Sequence, residues 1–181
     1  MTGLLTEELD EAARHLAIPT DEILLGALGR TIARTLGAGD LAVDVSVKGA
    51  DSTVTLACTT VRQASATKAL LAVRQAIAEG DRLAHDLADV HFAYTSSVPE
   101  PAYIQALPTG AHALEIRVYR AARRVQMDWW YDTRQLDRYT VEEMTEQFPL
   151  ALIDLTSEAS PLAEDSAEIG DTHHQLMAGS L

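Results

Sequence analysis

Cysteine is nearly absent from this 181-residue chain. Cys58 stands alone, so no internal disulfide can form and a thiolate metal site would need other ligand types. Basic residues are scarce as well, 14 Lys and Arg against 27 Asp and Glu. A formal net charge of -13 repels nucleic acid and anionic membrane surfaces alike, which excludes both as expected partners. No apolar run approaches the roughly 20 residues needed to cross a bilayer. The opening MTGLLTEELDEAARH lacks the basic and apolar blocks of a secretory signal, so a cytoplasmic location is expected. Also missing are G-x-x-x-x-G-K-[ST], G-x-G-x-x-G after a strand, and G-x-S-x-G, which removes the first requirement of phosphate-cradling, dinucleotide-binding and nucleophile-elbow chemistry. No internal repeat or low-complexity tract is present.

What the chain does have is apolar content, 47% over 181 residues, enough for one core, and nothing in its length requires a second domain. The expected division is a domain over 1–156 and an acidic, flexible tail over 157–181. The tail carries five acids and no Lys or Arg and shows little periodicity.

Periodicity within the domain predicts an α+β protein: about five strands in a mixed or antiparallel sheet, with helices packed on it. Leu5, Leu9, Ala12 and Leu16 share one helical face behind Thr6 as N-cap. After Pro19, Thr20 is expected to cap a second helix with Leu24, Leu28 and Ile32 on one face, Gly26 and Gly29 permitting close packing, and Gly37 as stop. Strands are expected over Leu41–Val47 and Thr53–Val61, their pairing undecided by so short a link. In TVTLACTTV, Cys58 reads as a small buried hydrophobe. Leu70, Val73, Ile77, Ala84 and Leu87 mark one long helix from Ala66 to Leu87 with Gly80 in its middle. A strand is expected over Asp89–Thr95, followed by a Pro-bearing loop over Ser96–Gly110.

The stretch from Ala113 to Phe148 is the most informative. Leu114, Ile116 and Val118 alternate with Glu115, Arg117 and Tyr119, and Val125, Met127, Trp129 and Tyr131 with Gln126, Asp128, Trp130 and Asp132. That is the pattern of a half-buried antiparallel hairpin. Thr140 and Glu143 read as a capping box for a helix bearing Val141, Met144 and Phe148, and Pro149 is expected to end or kink it. Trp129 and Trp130 must leave opposite faces of their strand. Trp129 belongs to the core, and Trp130 needs a second layer, a helix or another subunit to cover it, a subunit contact being favoured.

The order W-x-Y-D, a short polar loop with Leu136 and Asp137, then T-V-E-x-M, from Trp129 to Met144, resembles the closing strand and last helix of nonribosomal peptide synthetase condensation domains. These are relatives of chloramphenicol acetyltransferase. The helix PTDEILLGALGRTIARTLG, the strand LAVDVSV, the helix after Ser65 and the strand DVHFAYT fit the same resemblance. Together these segments are similar to the C-terminal lobe alone, half of a chloramphenicol acetyltransferase-like fold.

The resemblance implies acyl transfer from a carrier-bound thioester, with the second histidine of an H-H-x-x-x-D-G motif in the other lobe taking a proton from the acceptor. This chain has no such motif before its core. The run His173-His174-Gln175-Leu176-Met177-Ala178-Gly179 keeps both histidines and the glycine, but Ala178 stands where the family has aspartate, and AEDSAEIGD before it makes a poor core strand. As metal ligands His173 and His174 would have only Asp165, Glu168 and Asp171 for company, on no ordered frame. His15, His85, His91 and His112 are scattered. The Arg117, Arg120, Arg123 and Arg124 cluster reads as the solvated rim of a hairpin turn rather than a phosphopantetheine contact. The family's Gly-Arg pair and long crossover after the first strand are replaced by Lys48, Gly49 and Ala50.

No catalytic, cofactor-binding or metal residue is therefore assigned, and no cofactor. The expected function is that of a free-standing half condensation domain, non-catalytic alone, acting as a structural or interaction partner in peptide or polyketide biosynthesis. The competing expectation is one subunit of an acyltransferase whose active site is shared between subunits. The partners to expect are a second copy, a protein carrying the missing lobe, or a carrier protein.

Overall fold

In the computed structural model, residues 1–47, 49–80, 88–96, 111–121 and 123–160 are described. Their elements run α1 (Gly3–Leu16), α2 (Thr20–Thr35), β1 (Gly39–Val47), β2 (Ala50–Cys58), α3 (Ala66–Glu79), β3 (Val90–Thr95), β4 (Leu114–Ala121), β5 (Arg124–Tyr131) and α4 (Arg138–Glu158). The five strands form one mixed sheet in the order β2-β1-β3-β4-β5. The outer pairs β1–β2 and β4–β5 are antiparallel, whereas β1–β3 and β3–β4 are parallel. The α+β class and strand number agree with the sequence pattern.

The two hairpins follow from their turns. Val47 pairs with Ala50 and Ala121 with Arg124, so each link is two residues long, and each holds a residue at positive φ, Gly49 at 78° and Arg123 at 66°, as tight hairpin turns require. The first hairpin answers the pairing that sequence left open.

One face of the sheet carries Val43, Val45, Val54, Leu56, Phe92, Ile116, Val118 and Val125, all buried in a single core with residues of the four helices. Helix α2 is the centre of that core: every residue from Ile23 to Ala33 is buried. A Cβ on Gly26 would lie 3.2 Å from Leu70 and 3.3 Å from Leu155, and one on Gly29 would lie 3.3 Å from the Ala57 carbonyl oxygen. These glycines sit where α2 presses on α3, α4 and β2, in the role their spacing suggested.

Several boundaries differ from the sequence reading, each because a competing interaction wins. Thr2, not Thr6, caps α1, its hydroxyl accepting from the Leu5 N–H. Thr6 is buried instead, where its hydroxyl donates to the Thr2 carbonyl and accepts from the Val125 N–H on the edge of β5. Thr20 opens α2 without capping it; Pro19 is the N-cap and its carbonyl accepts from Glu22 and Ile23. Strand β2 lies three residues earlier than expected because it is matched residue for residue to β1. Helix α3 stops at Glu79, and Gly80 turns to an extended conformation where its missing side chain lets it approach Val54. Ala84 and Leu87 lie outside the described residues.

For α4, Asp137 is the cap rather than Thr140. Its carboxylate accepts from both the backbone N–H and the hydroxyl of Thr140, and these two hydrogen bonds hold it below the usual carboxylate range. Pro149 lies inside α4 and does not end it. A proline in a helix interior costs about 3 kcal/mol, and burial of Phe148, Ala151, Leu152 and Leu155 around it more than offsets that.

Candidate functional site

Residues that alternate with the core positions point to the other face of the sheet, which the described helices do not cover. Strand register aligns them in rows. Thr53 is opposite Asp44, Asp44 opposite His91, His91 opposite Glu115 and Glu115 opposite Trp130, one residue from each of the five strands. The next row holds Asp51, Ser46, Ala93, Arg117 and Asp128. A solvated sheet face would carry Ser and Thr at such positions; here Asp44 is only 6% exposed and Glu115 1%. Buried charges persist only with partners.

The partners form a chain of contacts. The Thr53 hydroxyl donates to Asp44 Oδ1 at 2.5 Å, and Asp44 Oδ2 lies 2.8 Å from His112 Nε2. His112 precedes β4 and stacks on His91, with ring centroids 5.1 Å apart and planes at 23°. His91 Nε2 is 2.9 Å from Ser46 Oγ, and the Ser46 hydroxyl donates its proton to Asp51 Oδ1 at 2.6 Å. Glu115 lies 4.0 Å from His112 Nδ1 and accepts from Arg117 Nη2 at 3.4 Å. The guanidinium of Arg117 in turn sits 4.8 Å above the Trp130 ring, a cation–π contact. The Nδ1 atoms of both histidines are buried without a hydrogen-bond partner.

Two grooves open on this region. One of about 450 Å³ is bounded by His112, Glu115, Trp130, Thr133 and Arg134. The other, about 360 Å³, is bounded by Ser46, Gly49, Ala93, Tyr94, Thr95 and Ser96.

Burial holds His91 below the ordinary imidazole range, with the neighbouring His112 adding to the effect. The folded protein therefore keeps this ring neutral while the unfolded chain takes up a proton below about pH 6.5. Stability from His91 is present above that value and falls as pH drops below it. Urea midpoints measured between pH 5 and 8 are expected to decline on the acid side, and His91→Asn should flatten that decline; an equal slope in the variant would assign it to other groups.

Sequence reasoning did not find this cluster. His91 and His112, read as scattered, are stacked. The signal was present in the wrong-parity positions, since Asp44, His91 and Glu115 each occupy the outward place in a strand. Placing them in one row needed the parallel β1–β3–β4 pairing, which no local pattern encodes. Trp129 packs edge-on against Phe148 at 6.0 Å, half-buried on the core face, and Trp130 faces the other way beneath Arg117. Part of the cover that Trp130 needed thus comes from its own chain.

The remaining candidates serve the fold. Asp132 of the W-x-Y-D segment accepts from the backbone and guanidinium of Arg134, which holds its carboxyl well below the usual range, and its N–H donates to the Ala113 carbonyl. Arg120 makes a two-pronged pair with Asp10 of α1. Cys58 is 2% exposed, and burial pushes its thiol up to about 11. His15 is exposed. Among the described residues no three His, Cys, Asp or Glu side chains converge as metal ligands, and no described helix is long and apolar enough to cross a membrane. His85, His173, His174, Asp165, Glu168 and Asp171 lie outside the described residues.

No family profile matches the chain. It is 31% identical over 217 residues to a phenolphthiocerol/phthiocerol polyketide synthase polypeptide of Mycobacterium tuberculosis, covering 92% of this chain and 14% of that protein. Solved structures share its fold. The condensation domain of the monacolin K polyketide synthase aligns with a TM-score of 0.68 at 9% identity, over 89% of this chain and 46% of that one. The epimerization domain from the third module of tyrocidine synthetase B aligns with a TM-score of 0.62 at 14% identity, over 87% and 46%. The chain thus spans less than half of each of these solved domains and a small part of its curated relative.

Proposed function

We propose that this chain, which has the fold of the C-terminal lobe of a condensation domain, works as a structural and interaction half-unit in polyketide or peptide biosynthesis. The observation that carries the proposal is the coverage: 89% of the chain aligns with 46% of a condensation domain and 87% with 46% of an epimerization domain. A lobe of that kind forms one wall of a cleft and needs a second body for the other. In this proposal the proton acceptor of the condensation type comes from that second body, either another copy or a protein bearing the complementary lobe.

The two-residue β1–β2 link supports the same reading, because it leaves no room for a crossover there. The alignment with the mycobacterial polyketide synthase is consistent: it extends over 217 residues, more than the 181 of this chain, so the relative carries residues with no counterpart here. In this proposal residues 1–156 are the lobe, 157–181 an appended acidic arm, and the setting cytoplasmic, away from nucleic acid and membranes.

Light scattering on a dilute solution tests it. A mass above that of one chain, or a stoichiometric complex with a complementary lobe, is expected together with no acyl transfer from a carrier-bound thioester to a free amine or alcohol by the chain alone. A well-folded lone monomer that binds no such lobe overturns the proposal. The buried row on the open sheet face favours a second reading, an acyltransferase subunit whose site is completed by its neighbour. Turnover in the assembled state that His174→Ala abolishes would place the base in the tail, whereas unchanged turnover would remove His174.

A further inference from the structure

The groove bounded by Ser46, Gly49, Ala93, Tyr94, Thr95 and Ser96 has at its edge a hydroxyl held between an imidazole and a carboxylate. Ser46 Oγ lies 2.9 Å from His91 Nε2 and 2.6 Å from Asp51 Oδ1. Ser46 is on β1 and Asp51 directly opposite on β2, while His91 stands in the adjacent row of β3, next on the same face to Ala93, the β3 partner of Ser46. Three adjacent strands therefore fix the three groups, and rigid elements position reacting atoms better than loops do.

We propose that Ser46 is an acylation site, with His91 as the base that takes its hydroxyl proton, and that the substrate class is an activated acyl group such as a thioester. A nucleophilic hydroxyl needs an adjacent base within hydrogen-bond reach, and His91 meets that distance. Burial keeps the ring neutral at rest, the form that can accept a proton. Once it has accepted one, Glu115 on β4 and Asp44 on β1 favour the imidazolium, while His112, stacked on the ring, and Arg117 oppose it. At rest the Ser46 hydroxyl donates its proton to Asp51; for the reaction the hydroxyl turns from Asp51 to His91, whose Nε2 accepts in the tautomer that carries its proton on Nδ1. The groove has room for an acyl chain, and apolar surface predominates in its lining.

The step balances without a further reactant. Ser46 Oγ attacks the thioester carbonyl as its proton moves to His91 Nε2; the C–O bond forms and the C–S bond breaks. The departing thiolate takes the proton from His91. The product is an ester on Ser46 and a free thiol. This assignment does not depend on the condensation-lobe proposal, and a monomeric chain could carry it equally well.

A fluorophosphonate reacts with such a serine and leaves a stable adduct, so it tests the site without knowledge of the natural acyl group. Treatment of the full chain is expected to give one adduct per molecule, mapped to the peptide containing Ser46 and absent in Ser46→Ala. His91→Asn should react about a hundredfold more slowly. The labelling rate should rise with pH and level off at or below the ordinary imidazole value of about 6.5. No adduct, adducts spread over other serines as in the urea-unfolded chain, or an undiminished rate in His91→Asn would each overturn the assignment. Should His91→Asn fail to fold, the unsubstituted chain decides: a rate still climbing above pH 8 excludes His91 as the base.

Discussion

Phe148→Ala should lower the stability of this protein by about 3–5 kcal/mol, the usual range for truncating a fully buried aromatic side chain. Phe148 is 2% exposed and stands at the meeting of α4 with the sheet, where its ring meets that of Trp129 edge to face at 6.0 Å. Truncation removes both the buried area and the aromatic pair, the latter worth about 0.5–1.5 kcal/mol beyond area alone. It also weakens the packing that carries α4 through Pro149. For a domain of this size the melting temperature should fall by roughly 6–20 °C. Phe148→Leu keeps most of the volume and should lose much less. Trp129 reports the change locally, since its near-ultraviolet dichroism depends on that contact. A Phe148→Ala variant melting within about 2 °C of the parent, below the smallest shift expected for such a loss, would mean that α4 is not docked on the sheet as described.

Arg30→Ala is the second large effect, and its cause is different. Arg30 sits in the middle of α2 and is 2% exposed. Its guanidinium donates to the Thr59 carbonyl at 3.1 Å and the Ala64 carbonyl at 2.6 Å, tying the segment after β2 to the central helix. Burial and the nearby Arg34 hold it below the usual guanidinium range, while Glu158 and Asp154 act in the opposite sense. Removing the side chain strands two carbonyl oxygens and opens a cavity; an unsatisfied buried group costs about 1–3 kcal/mol, and the loss of the pair about 2–4 kcal/mol in all. Arg30→Lys retains one charge but lacks the planar fork that reaches both acceptors, so it should fall between alanine and the parent. Arg30→Met fills the space without the hydrogen bonds and separates the two contributions. Denaturant titration gives the stability, and hydrogen exchange over residues 59–65 should speed up in Arg30→Ala. Unaltered exchange there would show that Arg30 does not hold that segment.

Both effects show how far local pattern reaches. Phe148 was legible from its spacing with Val141 and Met144, because an amphipathic face repeats every three or four residues and needs no knowledge of the neighbour. Arg30 was not legible. Its position on a helix with Leu24, Leu28 and Ile32 reads as the polar side, yet α2 is enclosed by α3, α4 and β2, so the polar side also became interior. The caps show the same limit at smaller scale. Thr6 and Thr140 have the right chemistry for capping, but neighbouring Thr2 and Asp137 were better placed, and Thr6 was then free to bind the edge of β5. Pro149 forbids a hydrogen bond by its covalent structure, but whether a helix ends there depends on what the following turns can bury.

The amino-acid sequence by itself determined the parity of each strand, the tight turn between β4 and β5, the apolar faces of the helices and the opposition of Trp129 to Trp130, because periods of 2 and 3.6 residues are properties of the backbone. Tertiary structure alone decided that β1, β3 and β4 run parallel side by side. That choice brought Asp44, His91 and Glu115, 71 residues apart from first to last, into a single row and set Ser46 against His91. Such pairing is fixed by the burial of helices α2, α3 and α4 on one face, a global free energy that no window of sequence contains.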